Sequence, residues 1–267
     1  MAHLGVVSRS ERITPHMIRV VVGGEGLAGF ATTGLTDHYV KLVFLEEGVD
    51  YPVPFDIQAC RESLPRAQWP KLRTYTVRAW DPDALELTLD FVHHGDEGLA
   101  GPWAANARPG DEIYLLGPGG GYAPDPEADW HLLVGDESAL PAIAVALEAL
   151  PDDAVVNAFI EVEGPQEEQK LDHRVTWIHR GPAPVGERLV AAIEGLDFPA
   201  GRPHAFVHGE AGFVKRLRRH LRVERELPLE ALSISGYWRL GVDDEGWREV
   251  KRDWNRAIEV EEQAALG

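Results

Sequence analysis

Two arginines, two threonines and a tyrosine stand together in Arg73-Thr74-Tyr75-Thr76-Val77-Arg78. A short hairpin later the chain reads Gly95-Asp96-Glu97-Gly98-Leu99-Ala100-Gly101-Pro102-Trp103-Ala104. A guanidinium is a planar fork that matches phosphate oxygens, and a helix start exposes unpaired N–H groups with positive partial charge, where a phosphate can sit. Gly95 and Gly98 let a backbone approach a pyrophosphate closely, and the Tyr75 ring can cover another ring system. Together they suit a ligand that is flat at one end and anionic at the other.

The elements that must position these residues are a strand over Leu72–Arg78, a hairpin return over Leu85–Val92, a Gly-rich turn into a helix over Gly95–Ala107, and a closing strand over Glu112–Leu116. Upstream, two short β-rich runs lie between Leu4 and Val22, broken by Thr14-Pro15-His16, and a third runs from His38 to Phe44. Six strands at this spacing predict a small antiparallel β-barrel over residues 1–122. The stretch from Glu46 to Pro70 reads as a long loop, either a ligand cover or an inert insertion. Ala123–Asp129, rich in Pro and Asp, suits a linker.

Beyond it the periodicity changes. Apolar runs at His131–Val134, Val155–Val162, Val175–His179, Ala205–Val207 and Leu232–Tyr237 alternate with helical patterns at Ala139–Leu150, Glu187–Leu196, Gly212–Val223 and Trp247–Ala265. That alternation predicts an α/β domain with a parallel sheet over residues 123–267. A length of 267 residues suffices for two such domains.

A formal net charge of −18 excludes nucleic acid as a main partner, because binding a polyanion needs phosphate neutralisation by Lys and Arg. No apolar run is long enough to span a bilayer, and the start Met1-Ala2-His3-Leu4-Gly5 lacks the layout of a signal peptide, so a cytoplasmic location is expected. With Cys60 the single cysteine, an internal disulfide and Cys-based metal sites are excluded. His93-His94 is no metal pair, since adjacent strand residues face opposite ways, and no metal site is expected.

Arg73-x-Tyr75-Thr76-x-Arg78, Asp90-Phe91-Val92-x-His94-Gly95, Trp103-Ala104, Pro109-Gly110-Asp111, Gly117-Pro118-x-Gly120, Gly135-Asp136-Glu137-Ser138-Ala139-Leu140-Pro141 and Gly236-Tyr237-Trp238-Arg239-x-Gly241 form an ordered set across most of the chain. This set resembles the siderophore-interacting proteins, a branch of the ferredoxin-reductase-like flavoproteins. The resemblance implies an FAD-binding six-stranded barrel followed by a nicotinamide-nucleotide domain. It implies a ferric-siderophore reductase in which NADH or NADPH delivers hydride to flavin N5 and single electrons pass on to Fe(III), releasing Fe(II). A flavin suits this task because it couples a two-electron donor to a one-electron acceptor.

By the same resemblance Arg73 lies near the FAD phosphates, Tyr75 against the isoalloxazine or ribityl, and Thr76 near flavin N5, the last two as catalytic contacts. The implied cofactor-binding set also takes in Thr74, Val77, Arg78, Asp90, His94, Gly95, Gly98, Leu99, Ala100, Trp103 and Ala104. Strand alternation sends Tyr75 and Thr76 to opposite faces, so one of the two contacts uses backbone or a twisted strand end. Leu99 stands where many family members carry Pro.

Asp136, Glu137, Ser138 and Ala139 are implied to meet the nicotinamide nucleotide, with Ser138 the expected N-cap. A Gly-x-Gly-x-x-Gly fingerprint is absent and the two carboxylates repel phosphate, so a plain strand-to-helix turn remains the alternative. A hydrolase built on Ser138 lacks the nucleophile-elbow glycines. Lys41 and Arg239 match positions expected to hold the ferric chelate, while Gly119 stands where a third basic residue is frequent. The basic helix with Lys215, Arg216, Arg218, Arg219 and Arg222 is either a solvated face or a 2′-phosphate site. Trp247, Val250, Trp254 and Ile258 form a docking face. A monomer is expected. The rival functions are a reductase of the same fold acting on a ferredoxin-like protein, a quinone or free flavin, and a flavin-containing siderophore binder without turnover.

Overall fold

A computed structural model describes residues 2–171 and 175–266. The chain divides into two units, Met1–Gly121 and Tyr122–Gly267, each taken by itself below. In the first, strands β1 (Ala2–Thr14), β2 (Met17–Gly23), β3 (Tyr39–Phe44), β4 (Lys71–Asp81), β5 (Glu86–Val92) and β6 (Glu112–Gly119) close an antiparallel barrel in the order β1-β2-β5-β4-β3-β6. Every second residue of a strand faces one side. Thus Ile18, Val20 and Val22 of β2, Val40 and Leu42 of β3, Leu87, Leu89 and Phe91 of β5, and Leu115 of β6 fill the interior.

The Glu46–Pro70 stretch holds a helix, α1 (Ile57–Ser63), capped by Asp56, whose carboxylate accepts from Ala59 N at 2.8 Å. Phe55 and Cys60 are buried against Val43 and Leu72, and Phe55 stacks on Tyr114 at 4.6 Å. This stretch therefore cushions the outside of the barrel at one end of the β4-β3-β6 face.

The second unit has a parallel sheet of β7 (Trp130–Gly135), β8 (Val156–Val162), β9 (Val175–His179), β10 (Pro203–Glu210) and β11 (Leu232–Trp238) in the order β11-β10-β7-β8-β9. Helix α3 (Leu140–Ala149) covers one side of the sheet; α4 (Glu187–Glu194) and α5 (Ala211–Arg219) cover the other. The strand order reverses between β7 and β10, and open α/β sheets bind ligands outside the carboxyl ends of the strands at such a point.

The unit boundary falls one residue before the expected one, because the Tyr122 ring is buried in the second unit's core against Phe206 and His204. The expected linker is also tied down: Asp125 accepts from Arg202 Nη1 at 2.8 Å, and Asp129 accepts from Arg202 N at 2.6 Å. Helix α6 (Asp244–Leu266) buries Trp247 and Ile258, and Trp254 packs on the Trp247 ring at 5.2 Å, whereas Val250 is 43% exposed. No helix among the described residues is long and apolar enough to cross a membrane.

Candidate functional site

In the first unit β4 pairs with β3 so that Arg73 faces Leu42, Tyr75 faces Val40, Thr74 faces Lys41 and Thr76 faces Tyr39. Directly paired residues share a side of the sheet. Arg73 and Tyr75 thus share the face of the interior residues Leu42 and Val40, while Thr74 and Thr76 point outward, and Thr76 is buried there at 8% exposure. The alternation expected to separate Tyr75 from Thr76 holds. The pairing of β4 with β5 shifts register between Val77 and Ala79, at Arg78.

Phe91, fully buried, joins the two parts that the sequence singled out. The Tyr75 ring lies 4.3 Å from it and the Trp103 ring 5.5 Å, so Phe91 seats both β4 and helix α2 (Ala100–Asn106). Ala100 and Ala104 bury the inner side of α2. Its N-cap position is Leu99, and no side chain caps the helix, which leaves its first N–H groups without a side-chain acceptor. Gly95 and Gly98 adopt φ of +75° and +84°, a region favourable to glycine, and a Cβ at either meets nothing within 4 Å. An open glycine turn running into an uncapped helix, beside a strand with two arginines and a half-buried tyrosine, fits the diphosphate and ring system of a flavin dinucleotide.

Two members of the sequence-derived set have other partners. The Asp90 carboxylate takes both Nε and Nη2 of Arg19, at 2.7 and 2.8 Å, and its side chain has no solvent exposure. His94 is exposed, its ring 6.1 Å from that of His16. Lys41 is exposed on the outward face in the row Lys41–Thr74–Leu116, next to the row Tyr39–Thr76–Gly119.

In the second unit the carboxyl ends of the strands carry acids. Asp136, at the end of β7, is fully buried and accepts from Ser138 N (2.9 Å), Ser138 Oγ (2.5 Å), Glu210 N (2.9 Å) and Trp238 Nε1 (2.8 Å). Burial pushes its pKa up, and these four donors work against that rise. Ser138 is therefore not the N-cap: its hydroxyl turns back onto Asp136, as in an Asx turn, and Ala139 occupies the cap position of α3. Glu210 caps α5, accepting from Gly212 N and Phe213 N, and its other oxygen accepts from Leu240 N at 3.3 Å. Arg239 is thus an exposed residue in a turn fixed on both sides, by Trp238 on Asp136 and by Leu240 on Glu210.

Arg180 bridges two further acids, Glu137 at 3.2 Å and Glu161 at 3.5 Å, and Glu161 also accepts from Gly186 N at 2.9 Å. Burial, with the Asp136 charge added, raises the Glu137 pKa from 4.5 to about 7, against the pull of Arg180. This rim presents carboxylates where a glycine fingerprint would present N–H groups. It suits hydroxyl and amide donors and disfavours phosphate.

The 2′-phosphate reading of the basic helix meets a contrary arrangement: Lys215 pairs with Glu261, and Arg218 and Arg222 converge on Glu262 at 2.6 and 2.7 Å. Their charge is spent on docking α6. The sequence reading missed Phe91 as the shared seat, the tie between Asp136 and Trp238, and the Glu161–Arg180 pair. An acid inside the apolar run Val155–Val162 was the one visible signal for that pair.

The family profile described as the siderophore-interacting FAD-binding domain matches residues 6–122, and that described as the siderophore-interacting protein matches residues 128–241. An uncharacterized protein of Mycobacterium tuberculosis is 46% identical over 94% of this chain and 95% of its own. The ferric vibriobactin reductase ViuB of Vibrio cholerae is 33% identical over 91% of both chains. An NADPH-dependent ferric-chelate reductase of Escherichia coli is 32% identical over 87% of this chain and 91% of its own. Among solved structures, a siderophore utilization protein from T. fusca superposes with a TM-score of 0.79 at 40% identity, over 91% of this chain and 95% of that one. The siderophore-interacting protein SipS from Aeromonas hydrophila gives 0.81 at 28% identity, over 96% and 98%.

Proposed function

The chain belongs to the siderophore-interacting protein family, a set of flavin-linked oxidoreductases, and on that premise we propose that it reduces ferric siderophores in the cytoplasm with electrons from NADH or NADPH. A bound FAD would supply the coupling of a two-electron hydride donor to a one-electron Fe(III) acceptor. The iron enters and leaves with its chelate as substrate; Fe(II), less charged and softer, is held less tightly by hard oxygen donors.

The residues of the first unit hold and orient the flavin. Arg73 and the N–H groups at the start of α2 receive the phosphates, with Gly95 and Gly98 letting backbone approach. Tyr75, braced on Phe91, covers the ring system from one side. Thr76 stands on the opposite face of β4, so it would reach a flavin held by Tyr75 through the strand backbone or around its edge. Lys41 and Arg239 are the residues this reading gives to the chelate. In the second unit, Asp136, Glu137 and Ser138 form a carboxylate-rich turn whose chemistry suits the ribose hydroxyls and carboxamide of a nicotinamide nucleotide, with its phosphates held elsewhere.

The observation that carries the reading is the joining of the Arg73–Tyr75 strand to an uncapped, glycine-led helix through one buried ring, Phe91. The purified protein is expected to be yellow, to bleach on anaerobic addition of NADPH or NADH, and to recover its colour when a ferric siderophore is added, with Fe(II) trapped by a ferrous-specific chelator. A colourless protein that refuses excess FAD ends the flavin reading. A reduced flavin that no ferric chelate reoxidises ends the siderophore-reductase reading.

A further inference from the structure

We propose that Tyr39 sets the chelate preference of this chain, lying over Gly119 beside Lys41 and favouring ferric trihydroxamates over tris-catecholates. The inference rests on the ferric-chelate reading above and adds to it the class of complex accepted.

The outward face of β3 and its neighbours runs in three rows: Val43–Leu72–Tyr114, then Lys41–Thr74–Leu116, then Tyr39–Thr76–Gly119. The first row is covered by Phe55 and Cys60. Lys41 is the one charged side chain among these nine residues. In the third row the end of the Tyr39 ring lies over Gly119, where a Cβ would overlap its Cζ and Oη, so a side chain at 119 requires the ring to swing aside. The phenol therefore occupies the volume that any side chain at position 119 would need.

Two hydrogen bonds hold the turn beneath the ring. Thr33 N donates to His38 Nε2 at 2.9 Å, so that nitrogen is the acceptor; the other, Nδ1, carries the proton and donates to the Gly119 carbonyl at 3.1 Å. Two residues on, Gly121 N donates to the Asp37 carboxylate at 2.8 Å. Glycine at 119 and tyrosine at 39 are thus two halves of one arrangement, with a carboxylate close by.

Chemistry follows from what replaces what. A lysine or arginine at 119 would put a second positive charge beside Lys41 and attract a polyanion. Tyr39 offers a neutral hydroxyl and a half-buried ring instead. A ferric tris-catecholate carries three negative charges, and on this face of the barrel it meets Lys41 alone and the field of Asp37. A ferric trihydroxamate has a neutral core whose oxygens accept from a phenol and whose methylene arms pack on a ring. Charge complementarity of this kind discriminates between ligands more than it adds affinity.

The test uses oxidised holoprotein and redox-inert Ga(III) complexes of desferrioxamine B, a trihydroxamate, and enterobactin, a tris-catecholate, titrated by calorimetry. Wild-type protein is expected to bind the trihydroxamate at least about tenfold more tightly, and the double variant Tyr39→Ala/Gly119→Lys to shift the affinity ratio toward the tris-catecholate by about tenfold or more. A wild type that prefers the tris-catecholate overturns the proposal without any variant. So does a double variant that keeps its flavin and its ratio. Should that variant lose flavin, Tyr39→Ala alone decides, since removing the ring is expected to weaken trihydroxamate binding about threefold or more while leaving tris-catecholate binding unchanged. The Fe(III) complexes separate the two claims. If reduced holoprotein passes no electrons to either, the reductase reading falls; if it reduces both and shows no preference, only the role of Tyr39 falls.

Discussion

Replacing Glu137 with Gln asks whether burial controls the ionisation of the β7–α3 turn. The Glu137 side chain is 10% exposed, lies next to the buried Asp136, and has Arg180 Nη2 at 3.2 Å as its counter-ion. Desolvation and the Asp136 charge together outweigh that arginine and lift the carboxyl from 4.5 to about 7. A group whose folded pKa lies above its unfolded value gives stability that is fully present below the unfolded pKa and is lost as pH rises through the folded one. For Glu137 the window runs from 4.5 to about 7. At about 1.4 kcal/mol per pKa unit, the loss across that window is on the order of 3 kcal/mol. Gln mimics the protonated acid and loses the ion pair with Arg180, so we expect a gain of roughly 1–3 kcal/mol over wild type above about pH 8 and little difference near pH 5. Urea unfolding of FAD-saturated protein at several pH values measures this difference, and carbon-13 NMR of the glutamate side chains gives the titration directly. A Glu137 midpoint at an ordinary carboxylate value, or a variant-to-wild-type difference that does not change with pH, would refute the reasoning.

Glu262→Ala should destabilise the protein by about 2–4 kcal/mol at neutral pH, because it strands Arg218 and Arg222, each under one-fifth exposed, beside one another. Although burial pushes the Glu262 carboxyl up, hydrogen bonds from both arginines hold it below the ordinary range. Its contribution is therefore present above the unfolded pKa and fades as pH falls through the depressed folded value; a urea midpoint unchanged in the variant would show that α6 docks without it. Arg73→Ala should empty much of the flavin, read as visible absorbance per protein, and a fully flavinated variant removes Arg73 from the phosphate site. Lys41→Ala and Arg239→Ala should each weaken ferric-chelate binding about tenfold while sparing flavin content; unchanged affinity in both takes them out of the chelate site.

Which parts of this protein could be read before its tertiary structure depended on how local their causes are. Short apolar runs marked the six barrel strands, and continuous apolar runs alternating with helical patterns marked the five parallel ones, because both patterns are local to the segment. The same rule placed Tyr75 and Thr76 on opposite faces, and the pairing with Val40 and Tyr39 bears this out. Helix α1 inside Glu46–Pro70 was missed: at seven residues it is too short to show a period, and its burial depends on Val43, Leu72 and Tyr114 from distant strands.

Polar side chains were the least legible. Ser138 has the residue type of an N-cap, yet a carboxylate two positions earlier captured it. Arg218 and Arg222 belong to a run with the pattern of a solvated or phosphate-binding face, yet Glu262, 44 and 40 positions downstream, neutralises both. Asp136 could be named as a turn residue, but its tie to Trp238, 102 positions away, exists only because β10 enters the sheet beside β7 and carries β11 with it. Sequence alone determined the strands, every α-helix but α1 and their order, and it named the residues proposed for a flavin. Tertiary structure decided which charges are spent inside the protein and which remain for a ligand, since a charged group's partner is set by proximity in space, and chain topology brings it there.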